Sequence, residues 1–226
     1  DYLGMLVFYL LFYNSSLNMM RQWIAMSILF YGLSYLITNE KKKYFITIVV
    51  ACLFHTSALM GVVIYFLYMY SQKQREYIKI ANFKLSGSLA PVKVFIYGCI
   101  VLLSLNVIAV LLRTFGLAKY AGYLMPNQII LRLPIIILLI IRWRRILTED
   151  ELTPFYGSML VLDLLASQLI SINVYAFRIA SFFSEYNMLS YSALVYAGNR
   201  KYRTNRYVTL LYVLAYMVYY WISYYV

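Results

Sequence analysis

The sequence is poor in most of what a water-soluble domain uses. Only 12% of its 226 residues are charged, against about a quarter in an ordinary globular domain. Acid is the scarcer sign, with eight Asp and Glu against 20 Lys and Arg. The chain has one histidine, two cysteines and four prolines. So little charge cannot cover a soluble globule of this size, which excludes a soluble enzyme and a Rossmann-type domain. The same shortage excludes intrinsic disorder and a coiled coil. Cys52 and Cys99 both lie inside apolar runs, so they read as buried thiols rather than as a disulfide scaffold. A lone histidine with no Cys or carboxylate at ligand spacing excludes a zinc site, and no metal or cofactor is expected.

What remains is apolar. Hydrophobic residues make up 64% of the chain and aromatics 19%, with 26 tyrosines. Apolar runs fall at about 2–13, 18–37, 44–70, 92–113, 128–142, 155–172, 178–197 and 207–226. Asn14-Ser15-Ser16 and Thr38-Asn39-Glu40 separate the first three, and Pro91, Pro126 and Pro154 stand before later ones. Pro134 lies near the start of its run and is read as setting the first turn. The expected fold is all-α: one polytopic transmembrane helical domain over 1–226, with about eight or nine membrane segments. The start at Asp1 suggests that N-terminal segments precede it. The formal charge of +12 sits in short clusters between runs, where membrane topology puts it, so no nucleic-acid partner is expected.

The run 44–70 is long enough for one tilted helix, or for a hairpin turning at His55-Thr56-Ser57. The excess of Lys and Arg on the cytoplasmic side arbitrates. One helix divides the 20 basic residues about 13 to 7, whereas a hairpin leaves only Arg21, Arg113, Lys119, Arg132 and Arg178 outside. The hairpin is favoured, although each arm is only about 20 Å long. Its consequence is chemical. No acidic residue falls in an outer loop, and His55 lands at the outer end of the membrane, beside a face that is purely cationic. That face should bind an anion, with Arg113 and Arg132 among the cations available to it.

Arg21 opens a helix, where a cation opposes the macrodipole. It is either a phosphate ligand or an interfacial arginine reaching for headgroups. His55 reads as a general base, a phosphate donor or a satisfied polar group. Arg178 precedes Glu185 by seven residues, which puts both on one face of a continuous helix. Asp163 and Glu185 reach similar depth. Ionisable groups there are costly, so each either anchors an arginine, takes part in the chemistry, or hydrogen-bonds to the other between helices.

Two segments resemble a known family. Arg21-Gln22-Trp23-Ile24-Ala25, followed by Phe54-His55-Thr56-Ser57-Ala58, resembles the EpsG family of exopolysaccharide proteins, which are similar to Wzy-type polymerases. Arg178 with Phe182-Phe183 fits a later arginine followed by paired aromatics. The resemblance implies a multi-pass protein of the bacterial cytoplasmic membrane that acts at its outer face. It implies a lipid-diphosphate-linked oligosaccharide as substrate, its glycan transferred to the sugar end of another unit. Carried over by position, Arg21 and Arg178 would hold the diphosphate, and His55 would assist the acceptor hydroxyl or orient the donor. Gln22 would brace that group. Apart from the resemblance, the placement of Arg113, Arg132, Asp163 and Glu185 makes them the further expected substrate-binding residues. Membrane lipids and other polysaccharide-synthesis membrane proteins are the further expected partners. A flippase for the same glycan, a non-catalytic subunit of a synthesis complex and an acyltransferase are the competing readings.

Overall fold

The computed structural model describes residues 2–73, 77–80, 83–86, 89–116, 129–149, 152–171, 176–196 and 203–225. Helix α1 (Tyr2–Val7) runs through a π-helical turn, Phe8–Phe12, into α2 (Tyr13–Asn18). Asn14-Ser15-Ser16, expected to separate two runs, lies inside α2. Ser16 Oγ donates to the Tyr13 carbonyl at 2.6 Å, and Ser15 Oγ accepts the Trp23 indole N–H at 3.2 Å. Both hydroxyls are thus satisfied without ending the helix. The break falls instead at Met19, with φ −125° and ψ 46°. Helix α3 (Met20–Ile37) follows and stops at Asn39, whose φ of +61° is the left-handed turn that asparagine tolerates.

The run 44–70 is a hairpin. Helices α4 (Lys41–Phe54) and α5 (Met60–Lys73) are separated by His55, in extended conformation, and one 3-10 turn, Thr56–Leu59. Tyr44 Oη donates to the Gly61 carbonyl at 2.8 Å, and the Tyr44 ring stacks on Tyr65 at 6.2 Å. One continuous helix would hold residues 44 and 65 about 31 Å apart, so the chain doubles back. Each arm has 14 residues, or about 21 Å. The basic stretch after α5 holds strands β1 (Tyr77–Ile80) and β2 (Phe83–Ser86), paired antiparallel with Tyr77 opposite Ser86. This hairpin amends the all-α expectation. The period-two alternation of Tyr-Ile-Lys-Ile and Phe-Lys-Leu-Ser accounts for it.

Helix α6 (Ala90–Thr114) starts at Ala90 and takes Pro91, expected to stand before it, into its first turn. Its 25 residues make it the one helix, among the described residues, long and apolar enough to cross a membrane. Then come α7 (Ile129–Glu149), α8 (Thr153–Ser167) with a 3-10 turn, α9 (Ala176–Ser184), α10 (Asn187–Tyr196) and α11 (Arg203–Tyr225). Two expectations need correction here. Pro134 does not set a first turn but lies inside α7, and its carbonyl accepts the Tyr212 hydroxyl at 2.9 Å. The run 178–197 is not one helix, because a turn at Glu185-Tyr186 divides it. Glu185 closes α9 with its N–H on the Ser181 carbonyl at 3.0 Å and is buried, whereas Arg178 in the first turn is exposed.

Helix α8 is the centre, packed by α5, α6, α7, α9 and α10. It buries residues all round, Phe155, Met159 and Leu160 among them, as a core helix must. Helix α1 lies on α10 and α3 on α4. The exterior is as apolar as the core: Leu53 is 81% exposed and Ile130 80%. Cys52 and Cys99 are free, half-buried thiols.

Candidate functional site

The break at Met19 and the break at His55 open onto one cavity of about 360 Å³, lined by Asn18, Met19, Met20, Arg21, Gln22, His55 and Arg178. Four residues singled out in the sequence thus meet, from segments that lie far apart in the chain. Their positions follow from local structure. Arg21 is the second residue of α3 and Arg178 the third of α9, so each stands in the first turn of its helix. Both guanidinium groups are exposed. A cation at a helix N-terminus is unfavourable unless an anion is near, and here two such ends share one cavity with no carboxylate among its described lining residues.

Gln22 holds the two segments together. Its side chain is 2% exposed, and its Nε2 donates to the Arg178 carbonyl at 2.7 Å. Met26 Sδ stands 3.7 Å from the same nitrogen. The other end of the carboxamide, Oε1, is buried without a partner, which leaves one acceptor unused in the cavity wall. His55 is half-buried, and its Nδ1 accepts from Ser57 N at 3.3 Å, with Ser57 Oγ 2.5 Å away. Among the described lining residues the cavity offers two guanidinium groups and an imidazole. That set suits a ligand with a multiply charged oxyanion beside a hydroxyl group.

The other candidates lie elsewhere. Arg132 is 3% exposed, and its Nε stands 3.2 Å from Asp163 Oδ2 in a buried ion pair. Asp163 also accepts from Ser184 Oγ at 2.8 Å and from Asn187 Nδ2 at 3.0 Å. Its carboxylate therefore anchors an arginine, and Arg132 is not part of an open cationic face. Asp163 and Glu185 do not bond to each other, since Ser184 and Asn187, which flank the Glu185 turn, take that place. Glu185 is itself buried, with Oε2 unpartnered. Arg113 is exposed in the last turn of α6, outside the cavity lining.

Sequence reasoning missed Ser57, Ser184 and Asn187. Ser57 was within reach, because a serine two residues after a histidine is at the spacing of a local side-chain cap. The other two bond across 21 and 24 residues of sequence, and no local signal marks them.

The model of the EpsG family matches residues 1–226. The chain belongs to the EpsG family. Neither a curated protein nor a solved structure matches it. Membership makes it a membrane protein connected with polysaccharide biosynthesis. The apolar exterior of this EpsG chain agrees, with large side chains such as Leu53 and Ile130 turned outward as contact with lipid allows.

Proposed function

We propose that this EpsG-family protein polymerises lipid-diphosphate-linked oligosaccharide units into an exopolysaccharide or surface polysaccharide. It does so as a multi-pass protein at the outer face of the bacterial cytoplasmic membrane. The observation that carries the reading is the convergence of Arg21, Gln22, His55 and Arg178 on one cavity. The leaving group of such a transfer is a lipid diphosphate. Arg21 and Arg178 neutralise the charge that it develops, each guanidinium presenting a fork of donors to phosphate oxygens. The Gln22 bond to the Arg178 carbonyl fixes the distance between the two arginine-bearing segments. Arg132 and Asp163 support the reaction from a distance, by holding α7, α8 and α10 together. Acidic lipids meet the inner basic clusters.

The test uses a strain lacking the native full-length protein, complemented with wild type, Arg21→Ala, His55→Ala or Arg178→Ala. Glycan length is read on a gel beside a blot for protein. Each substitution is expected to abolish long chains, leave single repeat units outside, and spare the protein. Removing one such donor lowers the rate about 10²–10³-fold. Full-length polymer from all three variants overturns the site and favours a non-catalytic subunit. Repeat units that pile up on the inner leaflet instead identify a flippase.

A further inference from the structure

The chemistry of the cavity depends on which ring nitrogen of His55 carries the proton. His55 has φ −154° and ψ 122°, and it caps the 3-10 turn Thr56–Leu59 with its own side chain. The backbone N–H of Ser57 points at Nδ1 from 3.3 Å, and the Ser57 hydroxyl lies 2.5 Å from the same atom. A backbone N–H can only donate. The nitrogen that receives it holds a lone pair, and the hydroxyl, free to rotate, donates to it too. A neutral imidazole has one ring proton. With Nδ1 as the acceptor of the Ser57 N–H, a neutral His55 ring has its proton on Nε2.

We infer that Ser57 fixes His55 as the Nε2–H tautomer, so that His55 meets the ligand as a hydrogen-bond donor to an anionic oxygen and not as a base. The inference deepens the diphosphate reading of the cavity and rests on it. A base acting through Nε2 needs its lone pair there. Moving the proton to Nδ1 would set two N–H groups against each other and lose both Ser57 bonds. Ser57 is then a positioning residue, and His55 joins Arg21 and Arg178 in an all-donor site for the leaving group. The transfer balances without a protein base. The bond from the anomeric carbon to the diphosphate oxygen breaks, and its electron pair stays on the diphosphate. The acceptor hydroxyl oxygen forms the new bond to that carbon. Its proton passes to the departing diphosphate oxygen, which gains negative charge as the bond breaks.

Residues 1–226 hold one histidine, so in ¹⁵N-histidine-labelled full-length protein in lipid nanodiscs the ring signal that His55→Gln removes reports on His55. Couplings within the ring then distinguish the tautomers. The expected result is a neutral ring protonated at Nε2, with the Nδ1–H form appearing in Ser57→Ala and disappearing again in Ser57→Thr. A wild-type ring protonated at Nδ1 overturns the inference.

Glycan length in cells supplies a second arm. His55→Gln places an amide N–H near Nε2 and cannot take a proton. It is expected to polymerise within about tenfold of wild type, whereas loss of a true base costs about 10²–10⁴-fold. Binding of inorganic pyrophosphate to the purified protein separates the two failures. If Arg21→Ala and Arg178→Ala weaken binding but His55→Gln is as inactive as His55→Ala, the donor role falls and the diphosphate cavity stands. If neither arginine variant weakens binding, the cavity reading itself falls, whatever the tautomer.

Discussion

Asp163 separates architecture from chemistry most sharply. Its carboxylate takes three contacts: Arg132 Nε at 3.2 Å, Ser184 Oγ at 2.8 Å and Asn187 Nδ2 at 3.0 Å. Asp163→Leu removes all three contacts at once. Arg132, only 3% exposed, then becomes a buried charge with its carboxylate gone. Breaking such a pair from one side costs about 3–5 kcal/mol. Ser184 suffers little, since its hydroxyl also reaches the Ala180 carbonyl at 3.0 Å. The Asn187 amide, by contrast, loses its acceptor, at about 1–3 kcal/mol. For a chain of this size the ion pair alone corresponds to a fall of roughly 6–20 °C in Tm. Heating the nanodisc-embedded protein with a thiol-reactive dye reads this directly, because Cys52 and Cys99 are free and half-buried. The triple variant Arg132→Met, Asp163→Leu and Asn187→Leu removes the charges and the orphaned amide together. An apolar replacement of a buried pair is commonly neutral or better, so this variant should recover a Tm close to wild type and still make long polymer. A single Asp163→Leu that melts like wild type refutes the energetic argument. A triple variant that is stable but makes no polymer shows that Asp163 has a part in the chemistry.

Other perturbations probe the hairpin and its orientation. Tyr44→Phe removes the 2.8 Å bond to the Gly61 carbonyl and should cost about 1 kcal/mol in the same melt. Gly61→Ala sets a methyl 2.8 Å from Ile48 Cγ1 and 2.9 Å from Leu29 Cδ2; the overpacking should cost about 1–3 kcal/mol, and a melt equal to wild type refutes this packing. Arg21→Lys keeps the charge but loses the fork, so chains should be shorter than wild type and longer than with Arg21→Ala on the same gel. In a background without Cys52 and Cys99, a cysteine replacing Leu59 should react with an impermeant maleimide in intact cells, and one replacing Lys42 only after permeabilisation. The reverse pattern inverts the topology.

How much of this was legible depended on whether the cause was local. The stop after α3 was readable because Asn39 accepts the left-handed turn. The break at His55 carries no glycine or proline, and hydropathy alone runs straight through it; only the distribution of Lys and Arg revealed it. That distribution is a long-range quantity, which is why it found what local pattern could not. The turn at Glu185-Tyr186 was not legible at all. Nothing between Ser181 and Asn187 reads as a breaker, and Ser184 and Asn187 are drawn to Asp163 from another helix. The grouping of Arg21, His55 and Arg178 on one side followed from topology, but the removal of Arg132 from that group did not. Its partner Asp163 lies 31 positions away on α8, and pairing at that separation is a tertiary fact.

The irregular backbone of the chain is itself informative. In a lipid environment an unpaired peptide group is costly, so non-helical backbone is tolerated only inside protein or beside a wet cavity. Met19 and His55, two of the residues at which the first helices break, both line the cavity, whereas the break at Asn39 does not. Each break also has a specific result. The one at Met19 starts α3 afresh and brings Arg21 into a first turn, and the one at His55 frees an imidazole that a continuous helix would have turned along its side. A chain selected only to pack helices would have closed both gaps, for a longer α4 could bury as much apolar surface with every backbone group paired. That both gaps remain, and face the same space as Arg178, is what the proposed diphosphate site requires, open backbone being tolerable beside a polar cavity.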